Sequence, residues 1–129
     1  MKKTKLNLTV VGMQYRMTKQ LRFELNEVSP FKIKVEREPE NTHDENAISV
    51  AINEKGVPGH PMKIGYLRRV VAAELAPEMD EGHLTITKAR LLEVDIDEGT
   101  AEAEIWLEHR KQFPLDKIAE HGKLPEAAS

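Results

Sequence analysis

Apolar and polar residues alternate along much of this chain with a period of two, the pattern of strands that bury one face. In the first run Leu6, Leu8 and Val10 lie on one side and Lys5, Asn7 and Thr9 on the other, until Val11 and Gly12 interrupt it. The segment reads as a strand ending at a glycine. Leu21-Arg22-Phe23-Glu24-Leu25 is a second short alternating run, and Phe31-Lys32-Ile33-Lys34-Val35-Glu36 is the cleanest, with Phe31, Ile33 and Val35 expected inward. Ser29-Pro30 separates the two as a turn. Asn46 to Asn53 then places Ile48, Val50 and Ile52 at spacing two, and the turn-rich Glu54-Lys55-Gly56-Val57-Pro58-Gly59 leads into another strand over Lys63 to Leu67.

Between Arg69 and Met79 the period changes, and Val70, Val71, Ala73, Leu75 and Met79 suit a helical stripe with an alanine-rich body. Pro77 requires that helix to break before it, or to restart with Pro77 in a first turn. Leu84 to Val94 reads as a long strand whose apolar phase slips, from Leu84 and Ile86 to Ala89 and Leu91 and then to Leu92 and Val94, which predicts a bulge or sharp coil. Asp97-Glu98-Gly99 turns the chain into Ala101 to Leu107, where Ala101, Ala103, Ile105 and Leu107 alternate against Glu102, Glu104 and Trp106. The two runs are predicted to pair as a hairpin. Beyond His109 a polar tail is expected over 110–129, with a short helix over Leu115 to His121 stopped by Gly122 and a mobile end from Pro125 to Ser129. Six to seven short strands with one or two short helices predict a mainly β fold over residues 1–109, a small, partly open barrel or a strongly bent sheet.

Composition narrows this picture without changing it. At 129 residues, one domain is expected, and 40% hydrophobic with 32% charged residues is the balance of a globular protein. Cysteine is absent, which excludes disulfides, thiolate zinc sites and cysteine nucleophiles. No apolar run approaches the roughly 18 residues a membrane helix needs, and Met1-Lys2-Lys3-Thr4-Lys5 precedes a strand-like alternation, so no membrane association and a cytoplasmic location are expected. With 19 Lys plus Arg against 22 Asp plus Glu, the net charge is −3. Bulk electrostatics therefore does not recruit nucleic acid, and any such contact has to be local, with few phosphates and a shallow salt dependence.

Candidate chemistry is sparse. The glycines form no phosphate-binding loop, and none of His43, His60, His83, His109 and His121 stands three to five residues from another, so neither a metal site nor a cofactor is expected. Glu93, Asp95, Asp97 and Glu98 read as a solvated hairpin tip. No local constellation sets a general base beside a nucleophile, which argues against an enzyme. Trp106, Phe23 and Phe31 read as core or interface anchors. One long polar connection remains, Arg37-Glu38-Pro39-Glu40-Asn41-Thr42-His43-Asp44-Glu45-Asn46-Ala47-Ile48, lying between two apolar strands. Asn41 and Asp44 suit Asx turns and Pro39 fixes the entry, so a structural turn is a sufficient account of it from the residues alone.

Arg37-Glu38-Pro39, Asn41, Asp44, Asn46-Ala47-Ile48 and Val50, followed by Ile64-Gly65-Tyr66-Leu67, Ala72-Ala73, Leu75-Ala76-Pro77 and Asp80, resemble the signature of the HIRAN domain. Val11-Gly12 and Tyr15 agree with it upstream, and the likeness spans roughly Leu6 to Val94. It implies an OB-like, six-stranded, partly open barrel with a helix, of a kind found alone in bacteria and at the front of SNF2-type fork-remodelling ATPases, where it captures a single-stranded 3′ end of DNA. That setting implies a role in DNA repair. Carried onto this chain, the nucleic-acid-binding residues would be Gln14, Tyr15, Arg16, His43, Asp44, Tyr66, Arg68 and Arg69. Tyr15, His43 and Tyr66 offer planar faces for bases, Asp44 an acceptor for a terminal 3′-hydroxyl, and Arg16, Arg68 and Arg69 forked donors for phosphates. Gln14-Tyr15-Arg16 stands where animal members carry an arginine and adjacent tyrosines, and Thr42-His43 where a proline and an aromatic are frequent, so one cation is relocated and one stacking ring lost. The expectation is a non-enzymatic module for single-stranded or frayed DNA. The alternative is a protein-interaction or homodimerisation module using Glu102 and Glu104 beside Trp106.

Overall fold

The computed structural model describes residues 1–53, 61–115 and 118. Seven strands form one antiparallel sheet: β1 (Lys2–Val11), β2 (Phe31–Lys32), β3 (Lys34–Arg37), β4 (Ile48–Asn53), β5 (Pro61–Leu67), β6 (Leu84–Asp95) and β7 (Thr100–His109). Their order is β2-β6-β7-β1-β5-β4-β3. The end strands β2 and β3 are consecutive in sequence and separated by Ile33 alone, so the sheet curls until its ends nearly meet in a barrel. Buried Ile33 bridges that gap, its N–H donating to the Ala89 carbonyl at 3.1 Å. The interior is filled largely by alternate residues, including Leu8 and Val10 of β1, Ile48 and Val50 of β4 and Ala101 to Leu107 of β7, with Ile64 and Leu67 entering from β5 around a register shift.

Several sequence expectations change. The clean run over 31–36 is two strands, because the chain leaves the β6 edge at Ile33 and joins β4 instead. This makes seven strands, the upper end of the six to seven expected and one more than the family resemblance implied. The alternation at Leu21–Leu25 belongs to a helix, α1 (Lys19–Val28), opened by Thr18, whose hydroxyl accepts from the Leu21 N–H at 3.1 Å. Leu21 and Phe23 are both exposed, so Phe23 is no core anchor. The docking face combines Leu25, half-buried against the core, with two polar residues. Buried Arg22 donates to the carbonyls of Ile96 at 2.7 Å and Met17 at 2.8 Å, and the Asn26 side-chain oxygen accepts from Val94 N–H at 3.0 Å.

The second helix, α2 (Arg69–Asp80), runs through Pro77 without breaking, and Val71, Ala72, Leu75 and Ala76 bury its inner face. The β6–β7 hairpin forms as expected, with register shifts between Ile86 and Lys88 and between Leu91 and Glu93 where the apolar phase slips. The expected boundary at His109 divides residues that pack together, since Phe113 and Ile118 also enter the core. The turn over Glu54–Gly59, the rest of the helix over 115–121 with its stop at Gly122, and the end from Pro125 lie outside the described residues.

Two halves of the sheet join where β1 meets β5, through Val10 opposite Leu67 and Val11 opposite Tyr66. Gly65 makes that approach: a Cβ there would stand 2.5 Å from the Val11 carbonyl oxygen and 2.9 Å from Val10 Cγ1. Gly65→Ala is expected to lower stability by about 1–3 kcal/mol, read as a lower urea midpoint, because backbone on the far side cannot yield. An unchanged midpoint would mean that the seam is looser than described.

Candidate functional site

The polar connection between β3 and β4 is held by its own side chains. Arg37 grips the Asp80 carboxylate with Nε at 2.8 Å and Nη2 at 2.9 Å, and donates to the carbonyls of Ala47 at 2.7 Å and Glu45 at 3.0 Å. It thereby ties the loop to the end of α2. Hydrogen bonding to Asp80 raises the Arg37 pKa over the opposing effect of burial. Within the loop, Asn41 Oδ1 accepts from the N–H groups of His43 at 2.8 Å and Asp44 at 3.0 Å, and Asp44 Oδ1 accepts from Asn46 N–H at 2.9 Å. The Asx-turn reading of Asn41 and Asp44 is therefore correct, and it leaves Asp44 Oδ2 facing Arg69 Nε at 3.6 Å.

On β5, Tyr66 lies at the centre of a second network. Its hydroxyl donates to Glu38 Oε1 at 2.9 Å and faces Lys63 Nζ at 3.3 Å and Arg16 Nη2 at 3.4 Å. Glu38 also accepts from Asn41 Nδ2 at 3.0 Å and pairs through Oε2 with Lys63. Burial alone would raise the Glu38 pKa, but hydrogen bonds from Lys63, Asn41 and Tyr66, with the charge of Lys63, outweigh it and lower the group from 4.5 to about 2. The Arg16 guanidinium carbon lies 5.4 Å from the Tyr66 ring centroid.

Arg16 is delivered by the single 3-10 turn Met13–Tyr15, entered through Gly12 at φ 81°. Met13 N–H donates to the Gly99 carbonyl at 3.1 Å, which docks this turn on the tip of the β6–β7 hairpin. Gly99 has φ 72°, and a Cβ on it would fall 2.8 Å from the Gln14 backbone nitrogen, so the contact requires glycine on both counts. Arg69, the first residue of α2, also donates to the His43 carbonyl at 3.2 Å.

These parts enclose an open pocket of about 320 Å³. Val11, Ala47 and Leu67 supply apolar lining, and Arg16, Asn41, His43, Asp44, Tyr66 and Arg69 supply polar groups. Of the residues expected at the site, Arg16, His43, Asp44, Tyr66 and Arg69 come together here. Gln14, Tyr15 and Arg68 do not line it: Gln14 packs against Gly99, Tyr15 is 85% exposed, and Arg68 occupies the N-cap of α2. Glu38 and Lys63 were missed. Glu38 stood in the recognised Arg37-Glu38-Pro39 block but looked like any solvated loop acid, and nothing in the spacing of Lys63 tied it to Tyr66. Trp106 is half-buried on the outer sheet face between Lys88, 4.7 Å from its ring centroid, and Lys5 at 5.9 Å, away from this pocket.

Fold and site together define a small barrel module with a cationic and aromatic pocket at the junction of β1, β5 and α2. The HIRAN domain family model matches residues 3–109, and the chain belongs to that family. Among solved structures, the crystal structure of the HIRAN domain of human HLTF is similar over 93% of this chain and 90% of that one, with 21% identity and a TM-score of 0.63. A protein from Lactobacillus plantarum is similar over 84% of this chain and all of its own, with 26% identity and a TM-score of 0.58. The HLTF HIRAN domain in its DNA-bound conformation, solved by NMR, gives 21% identity, 94% and 90% coverage and a TM-score of 0.55. No curated protein matches the sequence. Among the described residues, no helix is long and apolar enough to cross a membrane.

The Glu38 carboxylate is more acidic in the folded chain than in the unfolded one, so its network stabilises the fold fully above about pH 4.5 and loses that contribution as the pH falls towards 2. Urea midpoints measured across this window should fall less steeply for Glu38→Gln than for the natural protein. Parallel profiles would show that Glu38 titrates normally.

Proposed function

We propose that this protein is a non-enzymatic module that binds single-stranded or frayed DNA, taking a 3′ end into the pocket between Tyr66 and Asp44. The observation that carries the reading is the convergence of Arg16, Tyr66, His43, Asp44 and Arg69 around an apolar floor, in a family with a member that has a DNA-bound conformation. Val11, Ala47 and Leu67 suit the face of a terminal base, which Tyr66 and His43 flank. Arg16 and Arg69 stand on either side as donors to backbone phosphates.

Asp44 supports the preference for an end. Its Oδ1 is used by the loop, while Oδ2 stands 3.6 Å from Arg69 and is positioned to accept from a terminal 3′-hydroxyl. An internal phosphodiester lacks that donor, and a 3′-phosphate meets the carboxylate as a like charge. The pocket is built from two loops, two strand ends and a helix end, so it reads a few nucleotides and a few phosphates. Its ligand is selected by local groups against a chain charge of −3.

Fluorescence anisotropy with short oligonucleotides tests this. The natural protein should bind a 3′-hydroxyl single strand at least about tenfold more tightly than its 3′-phosphate counterpart, and Asp44→Asn should erase most of that ratio. Tyr66→Ala should weaken binding to both by about 1–3 kcal/mol. Equal affinity for the two ends removes the hydroxyl-reading role of Asp44, and no binding at low salt removes the nucleic-acid reading.

A further inference from the structure

The Tyr66 hydroxyl has one proton, which goes to Glu38, and lone pairs that face Lys63 and Arg16. Two cations therefore converge on one neutral oxygen. Glu38 neutralises the Lys63 side of this arrangement. Among the described residues no carboxylate pairs with Arg16, which contacts the hydroxyl and the ring of Tyr66. The cluster holds two positive charges and one negative, and its uncompensated side opens into the pocket that Arg16 and Tyr66 line.

We propose that Arg16 and Lys63, which converge on the Tyr66 hydroxyl, form a phosphate subsite for one phosphodiester of the bound strand, with Glu38 occupying the Lys63 half of it and withholding that cation. The inference rests on the DNA-binding reading and deepens it. Glu38 is the fixed member of the pair, because Asn41 and Tyr66 both donate to it from the loop and from β5. Lys63 is the movable one: its side chain is 34% exposed against 20% for Glu38, and its ammonium is a point charge on a flexible stem. In the natural protein a phosphate is met by Arg16, while the charge of Lys63 stays with Glu38. With glutamine at 38, the side-chain oxygen still accepts from Tyr66 and Asn41, but Lys63 is released to the phosphate. Glu38 is thus an affinity-setting residue that never touches the ligand.

The test is an anisotropy titration of a labelled oligothymidylate with a 3′-hydroxyl, run between about 50 and 200 mM salt, a range over which phosphate contacts dominate the change in affinity. Glu38→Gln should bind about fivefold more tightly at the low end, and its plot of log K against log salt should steepen by about 0.7, the increment for one added phosphate contact on a single strand. Adding Lys63→Gln to that variant should return the slope to the natural value. Arg16→Gln in the natural background should make the slope shallower by about 0.7.

A Glu38→Gln slope equal to that of the natural protein overturns the subsite, as does a gain that survives in the double variant or an unchanged slope in Arg16→Gln. In each of those cases the natural protein still binds, and the DNA-binding reading stands. Absence of binding by both the natural protein and Glu38→Gln removes the two together.

Discussion

The approach of β5 to β1 at Gly65 is the constraint on which the molecule depends. Strands β2, β6, β7 and β1 form one continuous part of the sheet and β5, β4 and β3 the other, and they are joined through two residue pairs. At that seam the Val11 carbonyl comes so close that no side chain fits at position 65. The same residue pairs put Val11 beside Tyr66, so the contact that joins the two parts of the sheet also builds the pocket. A separation here would open the core and move the ring from Arg16 in one step. Stability and recognition share a single piece of backbone geometry.

The loop beside the seam illustrates how a polar segment becomes a rigid one. A connection of this length without secondary structure has to satisfy its own backbone groups or leave them to water. Here Arg37 bonds two loop carbonyls and the end of α2, while Asn41 takes two successive N–H groups. Most of the loop's polar capacity is consumed in fixing its shape. What remains is a short set: one oxygen of Asp44, the His43 ring and the cation of Arg69 that reaches across from α2. Pre-organisation of this kind lowers the entropy that a ligand would otherwise have to remove.

Most strands were legible because each alternates against a single core, and the hairpin bulges were legible because a phase slip in β6 has no other simple cause. The helix α1 was not. Its apolar residues sit at 21, 23 and 25, the spacing of a strand, while the residues that dock it are Arg22, Leu25 and Asn26, two of them polar. A reading that follows apolar residues alone is misled wherever charged groups carry the packing. Within the site, the loop and Tyr66 were visible through the ordered family blocks. Glu38 and Lys63 were invisible because their pairing is a cross-element contact between the loop and β5, made by residue types that usually face solvent. Gln14 and Tyr15, expected beside Arg16, stand outside the pocket lining because a 3-10 turn sends successive side chains in different directions.

A net charge of −3 looks unfavourable for a nucleic-acid ligand until the charges are followed to their partners. Lys5 and Arg90 share Glu104 on the outer face of the sheet, Lys19 meets Asp97, Arg110 holds Glu78, and Arg37 holds Asp80. Pairs of this kind cancel at distances beyond a Debye length of about 8–10 Å, so they contribute little to the field at the pocket. Asp44 is itself shared with Arg69. At the pocket wall, Arg16 is a guanidinium beside a tyrosine ring. The chain is mildly acidic on average while Arg16 and Arg69 stand at the pocket, a distribution that leaves any phosphate to be held by position while bulk attraction plays little part.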